Sequence, residues 1–519
     1  MRLENTVRNT KYAIVGQAMA VAASFLNRTI FIHFLSVEYL GVNGLFSNIL
    51  SILSLAELGV GSAIIYNMYK PLATNDISKV KKLMNFYKMA YNVIGVFVLI
   101  TGLSLLPFLE FFINNKPDIN HLHLIYVLYV MNSSASYFFT YKRSIIFADQ
   151  KNYIDSINLY QQTIVQSIVQ NTVLIVTGNI ILYYIVQIVT IVFFNYKISK
   201  KANKLYPFLI SNKEKLEKSE RMKILKDVSA LLMHRIGFVV VCSTDNFLIA
   251  KFVSLAAVGL YSNYIMIVSA VKGIIVQLIN GVTASIGHLN AVETSEKSYD
   301  IYKKIYFINA WLVGFCSIAF YVLLNPFIEL WVGKKYLLSP EIVLIISINF
   351  YLCDIRGIRS VTNTFKDTMG LFWQDRFKPA FEAVINLVAS VILLKLFGFI
   401  GVLLGTLIST IVTDLWVEPY IVFKYGFKKR LYHYFFIFFK FGAITLLSGF
   451  ITKFICSRMP GSLIFTFVTS IIIVTVIPNL LFIVIFHKAD EFQYIYRLAM
   501  KKVRSLKTRK AMIQERREM

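Results

Sequence analysis

Long apolar segments without a charged residue dominate the chain. Four such segments cover Val93–Pro107, Ile305–Ile328, Leu396–Thr413 and Ile471–Ile485. About 20 predominantly apolar helical residues are needed to cross the core of a bilayer. The composition agrees, because 57% of the 519 residues are apolar or aromatic and only 16% are charged, against about 25% in soluble domains. The sequence therefore predicts an all-α polytopic membrane protein.

Hydropathy and charge together predict the layout of the helices. We expect 14 transmembrane helices, near 11–36, 42–67, 84–113, 121–147, 153–177, 179–199, 227–251, 257–287, 305–332, 341–363, 379–399, 400–423, 432–456 and 462–487. A basic cytoplasmic linker at 200–226 separates two parallel six-helix lobes, at 1–199 and 227–430. Helices 13 and 14 occupy 431–487. A basic tail follows at 488–519, either as a helix on the anionic inner leaflet or as a solvated tail.

The basic residues are distributed unevenly between alternate connections. Of 54 Lys and Arg residues, 41 lie in the N-terminal segment, the C-terminal tail and every second connection, and only seven in the other connections. The net charge of +26 therefore follows the positive-inside rule rather than indicating nucleic-acid binding. Residues 2–23 resemble a signal peptide, but its cleavage would reverse every loop against this distribution. Both termini are predicted to be cytoplasmic.

The sequence contains no pattern typical of an enzyme. Its four cysteines, which are Cys242, Cys316, Cys353 and Cys456, are isolated within apolar segments, as expected of small hydrophobic packing residues. It has no Cys/His spacing of a metal site, no P-loop and no nucleophile–base pair. We therefore predict that this chain is not an enzyme and holds no metal or other cofactor, and that any coupling is to a proton or sodium gradient.

The two predicted lobes show a weak internal repeat. At a constant offset of 218 residues, three positions match: Phe34 with Phe252, Ser36 with Ser254, and Gly41 with Gly259. Repeats of six helices are parallel and are related by an axis along the membrane normal. Such transporters move substrate by rocking one half against the other around a site near the bilayer midplane.

Two cations lie deep inside predicted helices. Arg28 lies a little past the middle of helix 1, and Lys272 lies at the middle of helix 8. An ionisable group at this depth costs roughly 2.5–3.5 kcal/mol, so it normally faces a cavity or a partner. Together the two would form a positive cavity suited to phosphate. The alternative is that each pairs with a buried acid such as Asp245 or Glu57.

Other charged residues near the membrane leave alternatives open. Asp245 and Glu57 either couple transport to a proton or sodium ion or serve as salt-bridge partners. Arg235, near the cytoplasmic end of helix 7, is a candidate for headgroup or phosphate contact. In helix 10 we expect Asp354 to pair with Arg356 or Arg359. Asp414 and Glu418 are four residues apart on helix 12, and we expect a water-facing pair at the edge of a loop.

Two hairpins resemble a known family. The motifs lie at 27–29, 34–44 and 57–61, and in the matching half at 244–251 and 259–263. They resemble helices 1, 2, 7 and 8 of bacterial polysaccharide transporters. These are the lipid-linked oligosaccharide and O-antigen flippases of the multidrug/oligosaccharidyl-lipid/polysaccharide (MOP) exporter superfamily. The resemblance implies a MATE-like fold with a central V-shaped cavity, in which Arg28 and Lys272 match basic positions.

The resemblance also implies a function. Flippases of this family move undecaprenyl-pyrophosphate-linked oligosaccharide repeat units across the bacterial plasma membrane for O-antigen, capsule or exopolysaccharide assembly, by alternating access. Expected partners are the lipid-linked substrate, membrane lipids, and the glycosyltransferases and polymerase of the same pathway. Drug exporters usually carry an acid in helix 1, which this chain lacks, and lipid II flippases follow the helix-1 Arg with Asp, where this chain has Thr29. A cation-coupled multidrug exporter and a lipid II-type flippase remain the alternatives.

Overall fold

The computed structural model describes residues 2–500 except for short gaps. The gaps lie at 58–59, 114–118, 139, 150, 211–213, 354–356, 372, 495 and 498–499, and the side chains of 2–15 and 229–242 are also outside the description. The described chain is helical throughout, and it divides into two compact units. The first contains 1–263 and 390–402, and the second contains 264–389 and 403–519.

The first unit is built from helices of very different lengths. They are α1 (Arg2–Phe34), α2 (Val37–Leu53), α3 (Val60–Ala73), α4 (Ile77–Ser104), α5 (Leu122–Tyr137), α6 (Arg143–Ala148), α7 (Asn152–Thr177), α8 (Ile180–Leu205), α9 (Lys218–Phe252) and the start of α10 (Leu255–Val292). Short 3-10 turns at Ser54–Glu57, Leu106–Phe112 and Thr140–Lys142 follow α2, α4 and α5.

The second unit continues α10 and adds the remaining helices. They are α11 (Ser295–Val332), α12 (Pro340–Leu352), α13 (Ser360–Thr368), most of α14 (Lys378–Phe397), most of α15 (Phe399–Val412), α16 (Asp414–Ile421), α17 (Tyr432–Ser457) and α18 (Leu463–Phe486). A five-residue π-helix at Val422–Gly426 extends α16.

The polytopic helical fold predicted from the sequence is confirmed. Within the described residues, eight helices are long and apolar enough to cross a membrane. Each predicted segment contains helix, but several are interrupted, as by the 3-10 turn at Ser54–Glu57 and by the turn at Thr413. A proline at 107 begins the 3-10 turn after α4, since proline is accommodated where its missing N–H has no helical partner. The count of 14 crossings and the lobe boundaries stay predictions.

The α7–α8 hairpin shows how local sequence sets a turn. Gly178 ends α7 with a φ of 62°, a left-handed conformation that glycine adopts without steric cost. Asn179 then caps α8, because its Oδ1 accepts hydrogen bonds from the backbone N–H groups of Ile181 and Leu182 at 2.9 and 3.3 Å. Such caps matter in lipid, where backbone groups must be satisfied internally.

The glycines of the internal repeat meet in the first unit. A Cβ on Gly41 would lie 2.0 Å from the carbonyl oxygen of Leu255, and a Cβ on Gly259 would lie 2.3 Å from that of Val37. Val37 and Leu255 are themselves separated by the repeat offset of 218. The contact is therefore self-complementary, as it is across a twofold axis, and small residues allow this close backbone approach.

The second unit has an aromatic core around α11. Tyr302 and Phe307 are almost fully buried, and Tyr302 packs on Phe365 with ring centroids 5.3 Å apart. The start of the basic tail joins this packing, because Phe492 stacks on Trp311 at 6.1 Å. The rest of the predicted tail, 501–519, lies outside the described residues.

Candidate functional site

The deep arginine of helix 1 binds a hydroxyl group. Arg28 lies half-buried on α1, and its Nη1 donates a hydrogen bond to Ser262 Oγ at 3.0 Å. Ser262 Oγ in turn donates to the carbonyl oxygen of Gly259 at 2.7 Å. The carbonyl oxygen of Gly259 thus orients the hydroxyl group of Ser262 that accepts the hydrogen bond from Arg28.

A polar face of α7 sets the rotation of α1. Asn27 Nδ2 donates to Ser167 Oγ at 2.9 Å, and Asn171 Nδ2 donates to Asn27 Oδ1 at 2.8 Å. Ser167 and Asn171 are four residues apart and buried, so they lie on one face of α7. Because successive helical residues point about 100° apart, holding Asn27 against α7 determines where Arg28 points.

Tyrosines supply the rest of the electrostatic surroundings of Arg28. The phenols of Tyr129 and Tyr183 lie close enough to interact with the guanidinium. Tyr129 packs on Tyr184 with ring centroids 4.9 Å apart, and Tyr183 packs on Phe31 at 5.7 Å. Within the described residues no carboxylate pairs with Arg28, so its positive charge is solvated by hydroxyl groups and is not neutralised. Such a cation favours an incoming anion.

Glu57 lies at the end of the 3-10 turn after α2, among tyrosines. Tyr91 Oη donates to Glu57 Oε1 at 2.6 Å. Tyr91 packs edge-on against Tyr87 and Tyr137, with centroids 4.5 and 6.0 Å apart. Glu57 is thus a half-buried acid of the first unit whose carboxylate accepts a phenolic hydrogen bond.

Of the remaining predicted site residues, two lie in different units and the third lies outside the described side chains. Asp245 is half-buried on α9 of the first unit, and Lys272 is half-buried on α10 in the second unit. The side chain of Arg235 lies outside the described residues. A joint pyrophosphate site of Arg28 and Lys272 with Arg235 therefore stays a prediction, as does ion coupling by Asp245 or Glu57.

The expected water-facing pair on helix 12 is wrong. Asp414 and Glu418 are 2% and 1% exposed, and Arg359, 2% exposed, lies between them. Arg359 Nη1 is 3.1 Å from Asp414 Oδ2 and 3.1 Å from Glu418 Oε2. Lys378 completes the cluster, with its Nζ bound to Asp414 and 2.6 Å from Glu418 Oε1. These four residues form the ionic cluster of the second unit.

Three further contacts connect this ionic cluster to its surroundings. Arg359 donates from Nε to the carbonyl oxygen of Leu352 at 3.0 Å and from Nη2 to that of Cys353 at 2.8 Å, so it also caps the end of α12. Glu382 lies in hydrogen-bonding contact with Asp414. With Glu382 the group holds three acids and two bases.

Sequence spacing identified only part of the ionic cluster. The four-residue spacing of Asp414 and Glu418 indicates a shared helix face, but Arg359 is 59 residues from Glu418 and Lys378 is 40. No local pattern joins such positions. The other expected helix-10 partners, Asp354 and Arg356, lie outside the described residues. The charged residues within these apolar segments do indicate that each has a buried partner. They do not indicate which residue that partner is.

Comparisons with known proteins bear on the fold of this multi-pass helical protein. No protein-family model matches the sequence, and no curated protein matches it either. The lipid II flippase MurJ in an inward closed conformation is 14% identical with a TM-score of 0.66, over 93% of this chain and 99% of that one.

Two multidrug transporters are also similar in structure. An inward-facing MATE family transporter of the MOP superfamily is 16% identical with a TM-score of 0.61, over 79% of this chain and 98% of that one. The Vibrio cholerae MATE transporter VcmN is 12% identical with a TM-score of 0.59, over 83% and 98%. At these identities the likeness shows the fold alone, which this chain shares with these three proteins. All three proteins are transporters or flippases rather than enzymes.

Proposed function

We propose that this protein is a flippase for undecaprenyl-pyrophosphate-linked oligosaccharide units in the bacterial plasma membrane, with both termini in the cytoplasm. Arg28 contacts the pyrophosphate, together with Lys272 and Arg235. The sugars would occupy a central cavity that alternates its access between the two membrane faces. The exported units supply O-antigen, capsule or exopolysaccharide, with glycosyltransferases and a polymerase as pathway partners.

The surroundings of Arg28 carry this proposal. Its guanidinium is half-buried and bound to the neutral hydroxyl of Ser262 at 3.0 Å. A charge-assisted hydrogen bond from arginine to a phosphate oxygen is roughly twice as strong as a neutral one. A diphosphate therefore gains more at this position than water or a sugar hydroxyl does.

The chemistry of the substrate suits such a site. A pyrophosphate loses its hydration when it moves through the bilayer, which is prohibitive without compensating charge. The polyprenyl chain stays in lipid throughout, so only the head group needs shielding. In this proposal Asp245 or Glu57 binds the coupling proton or sodium ion, whose release resets the carrier.

The second candidate is lipid II transport. The observation in its favour is the fold shared with the lipid II flippase MurJ over 93% of the chain. Its substrate would present the same pyrophosphate chemistry to Arg28. The departure at Thr29, where lipid II flippases have Asp, favours the oligosaccharide substrate. A multidrug exporter is the third candidate, and it would need an acid in helix 1.

The test is transport by the purified chain in liposomes. A fluorescent polyprenyl-pyrophosphate oligosaccharide, a fluorescent lipid II and a cationic dye are offered separately, and their movement is followed with a membrane-impermeant quencher. Arg28→Ala is expected to slow oligosaccharide transport by about 10- to 150-fold, since a hydrogen bond to a charged group contributes about 1.5–3 kcal/mol. Arg28→Lys should retain part of the rate.

The control is Leu26→Ala, which changes an exposed side chain of the same helix that points about 200° away from Arg28, and it should leave transport unchanged. Wild-type transport rates in Arg28→Ala would refute the role of the arginine. Movement of lipid II but not of the oligosaccharide would favour the second candidate. Movement of the dye alone would favour the exporter.

A further inference from the structure

The first unit contains a basic pocket apart from the residues discussed above. It has a volume of about 450 Å³ and lies between α4, the Thr140–Lys142 turn and the end of α8. Three lysines line it: Lys88, Lys142 and Lys200. Its remaining walls are aromatic or polar, formed by Phe138, Tyr141, Tyr196, Asn92, Ser199 and Asn203. The lining includes no acidic residue.

The three lysines each lie at the end of an uncharged segment or within one helical turn of it. Lys88 directly precedes the uncharged segment 89–109, and Lys142 directly follows the segment 124–141, which also lacks charge. Lys200 lies one helical turn beyond the uncharged segment that ends at residue 196. Each lysine thus marks the point where its helix leaves the apolar core, on the face that the charge distribution predicts to be cytoplasmic.

The positive charge of this pocket is not neutralised by the protein. Within the described part of the chain none of the three lysines pairs with a carboxylate, and Lys88 and Lys142 are close enough to repel each other. The acids of this region are used elsewhere. Asp149 accepts a hydrogen bond from Tyr206 at 2.6 Å, and Asp155 pairs with Arg143 at 3.2 Å.

We propose that this pocket binds the phosphate of an anionic lipid headgroup from the leaflet on that face. Three ammonium groups around one cavity match the charge and the several acceptor oxygens of a phosphodiester. The volume lies in the range of small-ligand sites. Asn92 and Asn203 add polar side chains to the wall of the pocket.

The location favours a lipid over a soluble phosphate. Tyr141 and Tyr196 lie at the level where amphipathic rings border headgroups in membrane proteins. A soluble phosphate has no apolar part that could pack on Phe138, whereas the glycerol and acyl carbons of a lipid can pack on this ring. The bound lipid connects α4, the turn after α5, and α8, three segments that are far apart in sequence.

The experiment compares ligands on the purified full-length chain. Short-chain phosphatidylglycerol is titrated in neutral detergent, and binding is measured by the rise in melting temperature and by native mass spectrometry. Short-chain phosphatidylcholine and soluble glycerol phosphate are the two comparison ligands. We expect retention of phosphatidylglycerol and little effect of the other two. An equal effect of glycerol phosphate would overturn the lipid assignment.

The decisive variant removes the pocket charges. The triple variant Lys88→Gln, Lys142→Gln and Lys200→Gln should weaken phosphatidylglycerol binding by about 100-fold, from the contribution of three lysines near an anionic headgroup. The single variant Lys142→Gln is expected to weaken it by about fivefold. This single variant provides the test if the triple variant does not fold.

A matched control removes the same charge outside the pocket. Lys70, Lys201 and Lys204 are exposed, lie on the same predicted face of the first unit and do not line the cavity. Their triple replacement by Gln should change binding by less than about threefold, since a general surface potential is screened by salt. Equal losses in both triple variants, or no loss in the pocket variant, would overturn the proposal.

Discussion

The contact between the repeat glycines allows a quantitative prediction. An added Cβ on Gly41 would lie 2.0 Å from the carbonyl oxygen of Leu255, and one on Gly259 would lie 2.3 Å from that of Val37. Carbon and carbonyl oxygen atoms approach to about 3.3 Å at their closest in proteins. Gly41→Ala therefore requires the two backbones to separate by about 1.3 Å. Both neighbours are backbone atoms, which no rotamer change relieves.

The cost follows from the rigidity of this contact. Overpacking at tight helix contacts costs about 1–3 kcal/mol. This shifts the equilibrium between the packed and the separated contact by about 5- to 150-fold toward the separated one. Gly41→Ala and Gly259→Ala should each produce a shift of this size. The double variant should cost little more than either single one, because the separation caused by the first alanine makes room for the second.

The assay follows both stability and access. Melting temperatures are measured in detergent. Accessibility is measured as the rate at which a cysteine placed at Val37 reacts with a membrane-impermeant thiol reagent, and the reaction of the native cysteines in the parent chain is the background. Gly442→Ala is the control, because a Cβ there meets no atom within 4 Å. Unchanged labelling and melting in Gly41→Ala would refute the close approach, and additive effects in the double variant would refute a shared contact.

Two further predictions concern the buried charges. Arg359→Met should lower the free energy of unfolding by about 3–5 kcal/mol, because it leaves Asp414 and Glu418 buried with too little positive charge; a melting temperature like that of the wild type would contradict the ionic cluster. Tyr91→Phe removes the hydrogen bond to Glu57 and should cost about 1–3 kcal/mol, measured by denaturant unfolding. If Glu57 binds the coupling ion, the same variant should shift the sodium or proton dependence of transport, and an unchanged dependence would assign coupling elsewhere.

The sequence predicted the features that depend on neighbouring residues. Uncharged segments indicated the positions of the apolar helices, because a helix that crosses the bilayer can be recognised from about 20 consecutive residues alone. The glycine and asparagine at 178–179 fix the α7–α8 turn by their own backbone and side-chain preferences. The repeat offset of 218 also paired Gly41 with Gly259, although it could not tell that the two positions touch.

The tertiary structure decided the partners of the buried polar groups. Arg28 finds Ser262 across 234 residues of sequence, and Arg359 finds Glu418 across 59. The water-facing interpretation of Asp414 and Glu418 failed because spacing on one helix gives a shared face but not what lies opposite. Burial of a charge depends on which helices pack together, and that choice is made by the whole chain rather than by any segment of it.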